Sequence, residues 1–317
     1  MSTAMRLHQL VRGQQAWRAD TIDDSESWHH RLSESCLVEL DAWIQDIAEE
    51  VLAITSYRLP QAAMTACAAC LELIRAILFQ GRGFVIIDQV PKHYTVEQAR
   101  ALFWGVGQLL GQPLVQNRQD ALLYSVRDAT PDSVERAHFS VTKAESSFHT
   151  DGAHLPHPPD LIGWLCLATA KLGGERQLIS SYTLHNELLE KYPEALRTLY
   201  QDFYFDPRDG VLAQETPVVR HPILRWNGTE LTMRYLRSDF HVAYANVDAS
   251  LTTARQEALA RLAVLLQRPD LRVEFQLQPG QMLFINNHWT LHNRTALVDY
   301  AEPERRRHYI RLWLQRQ

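Results

Sequence analysis

The chain has 317 residues, of which 46% are hydrophobic and 22% charged, a composition typical of a folded globular protein and unlike that of a disordered one. Acidic residues outnumber basic ones by 37 to 32 and the two kinds are interleaved, so no basic surface for nucleic acid is expected. The first residues lack the apolar run of a signal peptide, and no stretch of about 18 apolar residues follows. These features predict a cytoplasmic protein with no membrane or nucleic-acid partner, and they leave open whether it is a homo-oligomer.

The N-terminal part of the chain carries two helical patterns. Apolar residues recur at three- and four-residue spacing over 35–52, which predicts an amphipathic helix. A second helical run covers about 60–79 and ends before two glycines. Within it, Cys67 and Cys70 form a CxxC that lacks both the preceding strand of a redox motif and a second pair for zinc. We therefore expect these cysteines to pack in the core.

Segments rich in β-forming residues follow the helices. The run GFVIIDQV predicts a buried strand, and Thr95 with Gln98 forms a capping box that predicts a third helix ending before Gly111. Short β-rich runs then begin near positions 122, 161, 176, 282 and 308, and helical patterns interrupt them at 184–203 and 252–267. Since these strands do not alternate regularly with helices, an antiparallel sandwich or jelly roll is favoured over a parallel α/β sheet.

The organisation predicted from these runs is a single α+β domain over residues 1–317, because no internal repeat or low-complexity linker divides the chain. Residues 1–80 would form a helical N-terminal extension. Residues 81–317 would form a double-stranded β-helix, or jelly-roll, core with helical insertions.

A candidate metal site begins in the segment SSFHTDGAH, where His149 and Asp151 are two residues apart. The side-chain period of a strand is two, so both would point to one face and could bind the same metal. One more histidine would complete a 2-His-1-carboxylate facial triad, which leaves positions on an octahedral iron(II) for an organic chelate and dioxygen. The HxD pair occurs by chance in many proteins and is weak evidence alone.

The C-terminal segment strengthens this hypothesis. PGQMLFINNHWTLHNRTALVDYAEPERRRHYIRLWL indicates a turn, a buried strand, a region that contains His292, a charged loop and a last strand. Arg307 and Arg311 alternate with Tyr309 and Trp313, so the two arginines share a face. A buried guanidinium must be paired, and a dicarboxylate would pair with it in bidentate geometry. The alternative is a partly exposed strand with surface arginines.

In these motifs the sequence resembles the taurine/alpha-ketoglutarate dioxygenase family. The HxD, the GGE at 173–175, the PGQMLFINN strand, the LHNRTA around His292 and the RRHYIRLWL ending follow the order and approximate spacing of that family, over about residues 80–317. The resemblance implies that His149, Asp151 and His292 bind Fe(II). It favours His292 over His288, which lies closer to the strand, as the third ligand.

The resemblance also implies a co-substrate and a reaction. Arg311 would pair with the distal carboxylate of 2-oxoglutarate, and Arg307 would contact the co-substrate or the substrate. With O2, such a site oxidises an unactivated C–H bond of a small polar molecule, by default hydroxylating an amino acid or another carboxylate-bearing metabolite. Desaturation or cyclisation by the same iron chemistry is the alternative.

Two positions bear on how closely the family pattern applies. Arg176 stands where many relatives carry a Thr or Ser that helps to hold the co-substrate carboxylate, so that hydroxyl contact is not expected. Asp151 is present, whereas relatives that halogenate have a small residue there. Halogenation is therefore not expected.

Two further residues are candidates for substrate binding. Glu145 occupies a position that faces the substrate in relatives, and Arg127 lies on an upstream strand that borders the pocket. Together they would suit the amine and carboxylate of an amino acid, although both would also fit as surface or structural ion-pair residues. His154 and His157 lie among prolines that indicate a loop, and we do not expect them at the metal.

Two other classes of protein remain as alternatives. A zinc-dependent hydrolase could use the same ligands, but it would have no use for the two arginines and would need an added general base. A catalytically silent jelly-roll binding protein would be expected to lose metal ligands first, and all three are present.

Overall fold

A computed structural model describes the protein at residues 5–22, 24–48, 52–88, 90–127, 146–206, 218–236 and 239–316. Across these residues, none of the helices combines the length and apolar content that a membrane span requires. The helices, numbered along the chain, are α1 (Glu34–Ala48), α2 (Thr65–Phe79), α3 (Val96–Leu110), α4 (Ser181–Lys191), α5 (Pro193–Leu199), α6 (Asp239–Asn246) and α7 (Thr253–Leu266).

The strands are numbered in the same way. They are β1 (His29–His30), β2 (Phe84–Ile87), β3 (Gln112–Leu114), β4 (Leu123–Arg127), β5 (Leu161–Ala168), β6 (Leu172–Gly173), β7 (Arg176–Ser180), β8 (Asp202–Phe205), β9 (Val219–Pro222), β10 (Leu224–Trp226), β11 (Leu231–Met233), β12 (Arg272–Phe275), β13 (Met282–Asn286), β14 (Thr290–Arg294), β15 (Leu297–Val298) and β16 (His308–Gln315).

Most of the segments predicted from the sequence are confirmed. Helix α3 begins at the predicted capping box, where Thr95 accepts a hydrogen bond from the backbone N–H of Gln98 and the Gln98 side chain accepts one in return. One prediction differs, because the helical run at 184–203 consists of α4, α5 and the start of β8. Pro193 lacks a backbone N–H, so it begins a new helix after Tyr192 and does not continue the preceding one.

Two of the sheets determine the position of the candidate site. The larger has the strand order β1-β2-β13-β5-β16-β3, with β4 also paired to β16, and the smaller has the order β12-β7-β14. Their strand pairs are antiparallel, apart from the short pairing of β1 with β2. The structure is therefore a mixed α and β fold with largely antiparallel sheets, as the sequence predicts.

Apolar side chains pack these elements in layers. Alternate residues of β13 face opposite ways: Phe284 packs with α1, α2 and α3, whereas Leu283 packs in a cluster that includes Leu178 of the smaller sheet. On the other side of the smaller sheet, Ile179 packs with residues of α4, α5 and α7. The order is helices, larger sheet, smaller sheet, helices, and the inward-facing side chains of both sheets meet between them.

The cysteines of the helical layer are free and lie in or against the core. Cys67 of α2 is fully buried, with its Sγ 2.7 Å from the Sγ of Cys36 on α1. Cys70 is half-buried and packs against the same apolar cluster. This agrees with the packing role predicted for the CxxC.

A tight turn leads into the smaller sheet. Gly173 and Gly174 have φ values of +70° and +82°, which side chains other than glycine rarely adopt. A Cβ on Gly173 would lie 2.1 Å from the carbonyl oxygen of Ala296. The hydroxyl of Thr295 accepts hydrogen bonds from the backbone N–H groups of Gly174 and Glu175, both at 3.0 Å. The turn thereby fixes the start of β7 against the end of β14.

Candidate active site

The predicted triad comes together between the two sheets. His149 and His292 form an isolated antiparallel bridge, in which the backbone N–H of each donates to the carbonyl of the other at 3.0 Å. Their ring centroids are 4.2 Å apart. Asp151 lies in the turn that follows His149, and ligand atoms of all three residues are within 4.8 Å of one another. A metal ion can be held by several histidine, cysteine or carboxylate side chains that lie close together. Within the described part of the chain, these three residues form such a group.

The donor atoms of the triad fit a metal ion. Nδ1 of His149 donates to the carbonyl oxygen of Ser147 at 2.8 Å, which leaves the lone pair on Nε2 for a metal. Nε2 of His149 and Nε2 of His292 lie 3.4 Å and 3.5 Å from the same carboxylate oxygen, Oδ1 of Asp151. Neighbouring ligands at right angles and bond lengths of about 2.1 Å would be roughly 3 Å apart, so the three atoms need little adjustment.

The other carboxylate oxygen of Asp151 is already bonded within the protein. Oδ2 accepts hydrogen bonds from Nη1 of Arg311 at 3.0 Å and from Nε1 of Trp313 at 2.7 Å. The backbone N–H of Asp151 donates to Asn287 at 2.9 Å, and the Asn287 side chain donates back to the Asp151 carbonyl. These bonds turn Oδ1 toward the two histidines.

Electrostatics favour the protonation states that a metal requires. Burial would raise the pKa of Asp151, but the charge of Arg311 and the hydrogen bonds to the two histidines hold that pKa well below its usual range. Burial, with the nearby His149, lowers the pKa of His292 to about 4. At neutral pH the carboxylate is therefore ionised and His292 is neutral.

A cavity of about 60 Å³ adjoins the triad and is rich in arginine. Trp164 forms part of its wall, with its ring centroid 4.9 Å from that of His292 in an edge contact. The residues that line it are Val126, Ser146, His149, Trp164, Arg176, His292, Arg294, Arg307 and Arg311. Four guanidinium groups beside one metal-binding cluster would attract an anionic ligand.

The two arginines predicted on the last strand both reach this cavity, but in different surroundings. Arg311 bonds to Asp151 and, through Nε, to the side-chain oxygen of Gln116 at 2.8 Å. Arg307 is buried, and its guanidinium carbon lies 4.3 Å from the centroid of the Tyr309 ring. In this structure Arg311 therefore bonds to the candidate metal ligand Asp151, whereas Arg307 contacts the ring of Tyr309.

Of the two predicted substrate residues, the structure describes Arg127 alone, and it lies outside the cavity lining. Arg127 is exposed and donates a hydrogen bond to Nδ1 of His308 at 2.7 Å. Its neighbour Val126 lines the cavity, so the period of two turns Arg127 to the opposite face of β4. Glu145 lies outside the described residues.

The other histidines near the motifs do not join the cluster. His288 bonds through Nε2 to Asp160, so it is held by a carboxylate of its own. His154 and His157 lie in the turns after Asp151, as predicted, and neither is part of the group that could hold a metal.

Sequence reasoning missed several residues of the site. Arg294 is two residues after His292 on β14, so both side chains lie on the same face of the strand. The HNR motif of the sequence already contained this spacing. Trp313 shares a face with Arg311 in the same way, but its bond to Asp151 depends on the pairing of distant segments. Gln116 and Asn287 carry no local signal that would have identified them.

Comparisons with known proteins agree with these features. Residues 62–313 match the family described as "Taurine catabolism dioxygenase TauD, TfdA family". The chain is 27% identical over 318 residues to FR-33289 synthase of Streptomyces rubellomurinus, which covers 97% of this chain and 91% of the relative. It is 25% identical over 328 residues to the taurine hydroxylase-like protein SAT17 of Stachybotrys chartarum, covering 98% and 80%.

Solved structures share the fold. Asparagine oxygenase in complex with Fe(II), 3-hydroxyasparagine and succinate superposes with a TM-score of 0.69 at 17% identity, covering 91% of this chain and 93% of the other. The non-heme iron oxygenase OrfP in complex with Fe and alpha-ketoglutaric acid gives a TM-score of 0.65 at 17% identity, covering 90% and 94%. At these identities the likeness shows a common fold.

Proposed function

The chain belongs to the TauD, TfdA family of dioxygenases, and from this premise we propose that it is an Fe(II)- and 2-oxoglutarate-dependent dioxygenase that oxidises an unactivated C–H bond of a small polar molecule. The observation that carries the proposal is the convergence of His149, Asp151 and His292 beside a cavity lined by arginines. Neighbours of the same fold bind iron with 2-oxoglutarate or succinate, which supports the same pair of ligands here.

The fold proposed for this enzyme is a single domain with a double-stranded β-helix, or jelly-roll, core and a helical N-terminal extension. The two facing sheets with largely antiparallel strands support this. The cavity then lies between the two sheets.

In this proposal His149, Asp151 and His292 would hold the metal, and bound iron(II) would supply the redox chemistry with dioxygen that protein side chains lack. Arg311 and Trp313 hold one oxygen of Asp151 and direct the other to the metal position. The lowered pKa of His292 keeps its imidazole neutral and able to donate a lone pair.

The rest of the cavity prepares the site for an anionic co-substrate. The arginine side chains give the cavity a positive potential, which favours a dicarboxylate over a neutral molecule. Trp164 covers one edge of His292 and keeps bulk water from that side of the ligand.

For the primary substrate we propose an amino acid or another carboxylate-bearing metabolite, with hydroxylation as the outcome. Two neighbours of the same fold were solved with hydroxylated amino acids, 3-hydroxyasparagine and 3-hydroxyarginine, and this supports the substrate class. Desaturation or cyclisation would use the same site.

Anaerobic addition of Fe(II) and 2-oxoglutarate tests the proposal. The chelate is expected to produce a weak visible absorption band, and admission of O2 should then yield succinate when amino acids and other small carboxylates are screened. The absence of a band in the unmodified protein, together with unchanged metal binding in His149→Ala, would contradict the proposal. Hydrolytic activity that depends on zinc would favour the alternative class.

A further inference from the structure

A second cavity lies on the other face of the strand that carries His292. Neighbouring residues of β14 face opposite ways, and His292 lines the cavity at the triad whereas Asn293 lines this second one. Ala263 and Leu266 of α7, with Gln267 after them, form another part of its wall, and we call it the α7 cavity. Its volume is about 230 Å³, against about 60 Å³ beside the triad. The proposed function gives this larger space no ligand.

The apolar part of the wall suits an aromatic ring. Phe148 and Tyr235 line the cavity, and both are buried in the cluster that packs the outer side of the smaller sheet. Ala263 and Leu266 add aliphatic surface. An apolar cavity of about 150 Å³ can hold benzene. The α7 cavity, at about 230 Å³, therefore has room for one ring with a small substituent.

One cation in the wall has no ionic partner. Arg272 begins β12 and is partly exposed, and within the described ranges its guanidinium group makes no ion pair or hydrogen bond. Glu274, two residues along the same face of β12, accepts a hydrogen bond from Gln177 at 2.5 Å. Arg268, which lies just after α7, is by contrast paired with Glu187. Arg272 can therefore bind an anionic ligand in the cavity without breaking a bond within the protein.

Two neutral side chains of the cavity are also uncommitted. Among the residues that the structure describes, neither the hydroxyl of Ser147 nor the amide of Gln267 has a hydrogen-bond partner. Asn293 differs, because its side chain accepts from Ser146 and donates to Gln177, both at 2.8 Å. A guanidinium group and neutral donors around one cavity favour a carboxylate, which accepts several hydrogen bonds at once.

The α7 cavity is separated from the metal position. The two cavities lie on opposite faces of β14, and of the residues named here only Ser146 lines both. The nearest link to the triad is the segment before His149, where the carbonyl oxygen of Ser147 accepts a hydrogen bond from Nδ1 of His149 at 2.8 Å. A molecule in the α7 cavity thus contacts the segment that orients His149 without reaching the metal position, and its binding needs no metal.

We propose that the α7 cavity is a second ligand site, which binds a small aromatic carboxylate with its ring against Phe148 and Tyr235 and its carboxylate on Arg272. The inference goes beyond the proposed function and does not depend on it, since it concerns neither the metal nor the co-substrate. An aromatic acid bound here occupies the protein together with 2-oxoglutarate and does not compete with it.

The test compares benzoate with benzamide, which has the same ring and no charge. Both are titrated into the full-length protein, with and without Fe(II), and binding is followed by calorimetry or by saturation-transfer NMR. We expect benzoate to bind in both states and more tightly than benzamide. Arg272→Gln should lower the affinity for benzoate by about 10- to 100-fold, as for a lost hydrogen bond to a charged group, and leave that for benzamide unchanged.

Two further variants locate the ligand. Ala263→Phe places a ring in the α7 cavity and should prevent binding of both molecules, because the space is then filled. Arg261→Gln is the matched control for charge, since Arg261 also lies on the α7 side, pairs with Glu257 and lines neither cavity. It should bind both molecules as the unmodified protein does.

Each outcome decides for or against the site. If neither benzoate nor phenylacetate binds the unmodified protein at millimolar concentration, the proposal is overturned. It is also overturned if benzoate binds but Arg272→Gln leaves its affinity unchanged, because the anion then lies elsewhere, as in the arginine-lined cavity at the triad. Weakened binding in Arg272→Gln but not in Arg261→Gln supports it. If Ala263→Phe does not fold, that comparison decides alone. None of these results depends on whether Fe(II) and 2-oxoglutarate bind, so the proposed function stands or fails separately.

Discussion

Nη1 of Arg311 lies 3.0 Å from Oδ2 of Asp151, in a buried ion pair that joins the last strand to the turn carrying the HxD motif. The pair leaves Oδ1 as the carboxylate oxygen that faces both histidines. Arg311, for which the family resemblance implies a contact with the co-substrate, is thus bonded to a candidate metal ligand.

Replacing Arg311 should therefore affect the metal first. We expect Arg311→Gln to weaken binding of Fe(II), or of Co(II) as a probe, by about 10- to 100-fold, the range for residues that orient metal ligands. Calorimetric titration of the metal measures this. If metal binding is unchanged but binding of 2-oxoglutarate falls by about 1.5–3 kcal/mol, Arg311 contacts the co-substrate as the family resemblance implies.

The choice between the two C-terminal histidines can be tested directly. We expect His292→Ala to abolish stoichiometric metal binding, because it removes one of three ligands. His288→Ala should keep it, since His288 is bonded to Asp160 and not to the cluster. Metal titration of both variants, with circular dichroism to confirm folding, gives the comparison. The reverse pattern would make His288 the ligand.

A buried glutamate on α4 should contribute to stability in a way that depends on pH. The carboxylate of Glu187 accepts hydrogen bonds from Arg18 at 2.5 Å, from Lys191 at 2.6 Å and from Arg268. Burial would raise the pKa of Glu187, but these bonds lower it below the usual value. Its stabilisation is therefore present above the unfolded-state pKa of about 4.3 and is lost as pH falls through the lower folded-state pKa.

We accordingly expect Glu187→Gln to reduce the free energy of unfolding at pH 7 by about 1–3 kcal/mol. The effect is limited because Arg18 and Lys191 are partly exposed, so that solvent screens their charges. The difference from the unmodified protein should shrink as the pH is lowered toward 4 and below. Urea unfolding at several pH values measures it. Glu257→Gln is the control, because its pair with Arg261 is exposed and should contribute little. A constant difference at all pH values would exclude a charge effect.

The glycine turn before β7 offers a matched pair of substitutions. Gly173→Ala places a Cβ 2.1 Å from a backbone oxygen of Ala296, whereas a Cβ on Gly174 would meet nothing closer than 3.7 Å. Both have positive φ, so both should lose about 1–2 kcal/mol in urea unfolding. Gly173→Ala should lose more, because the backbone must shift. Equal losses would show that the close approach to Ala296 is not maintained in solution.

The sequence also predicts much of the fold. The capping box at Thr95 and the apolar spacing of α1 and α2 are local patterns, so they identify these helices without knowledge of their neighbours. The long helical run ending at 203 was divided at Pro193, where the absence of an N–H matters more than the apolar period. The match of residues 62–313 to the TauD, TfdA family confirms the family inferred from the motifs.

The sequence by itself determined the family and named the three candidate ligands, because the HxD spacing and the order of the C-terminal motifs are properties of short segments. Only the tertiary structure decided how the charges are distributed: Arg311 reaches Asp151, Arg176 lies beside Arg307 and Tyr309, and Arg127 points away. The physical reason is that a strand's period of two specifies which side chains share a face, whereas the partner each one meets depends on the register between strands that are far apart in the chain.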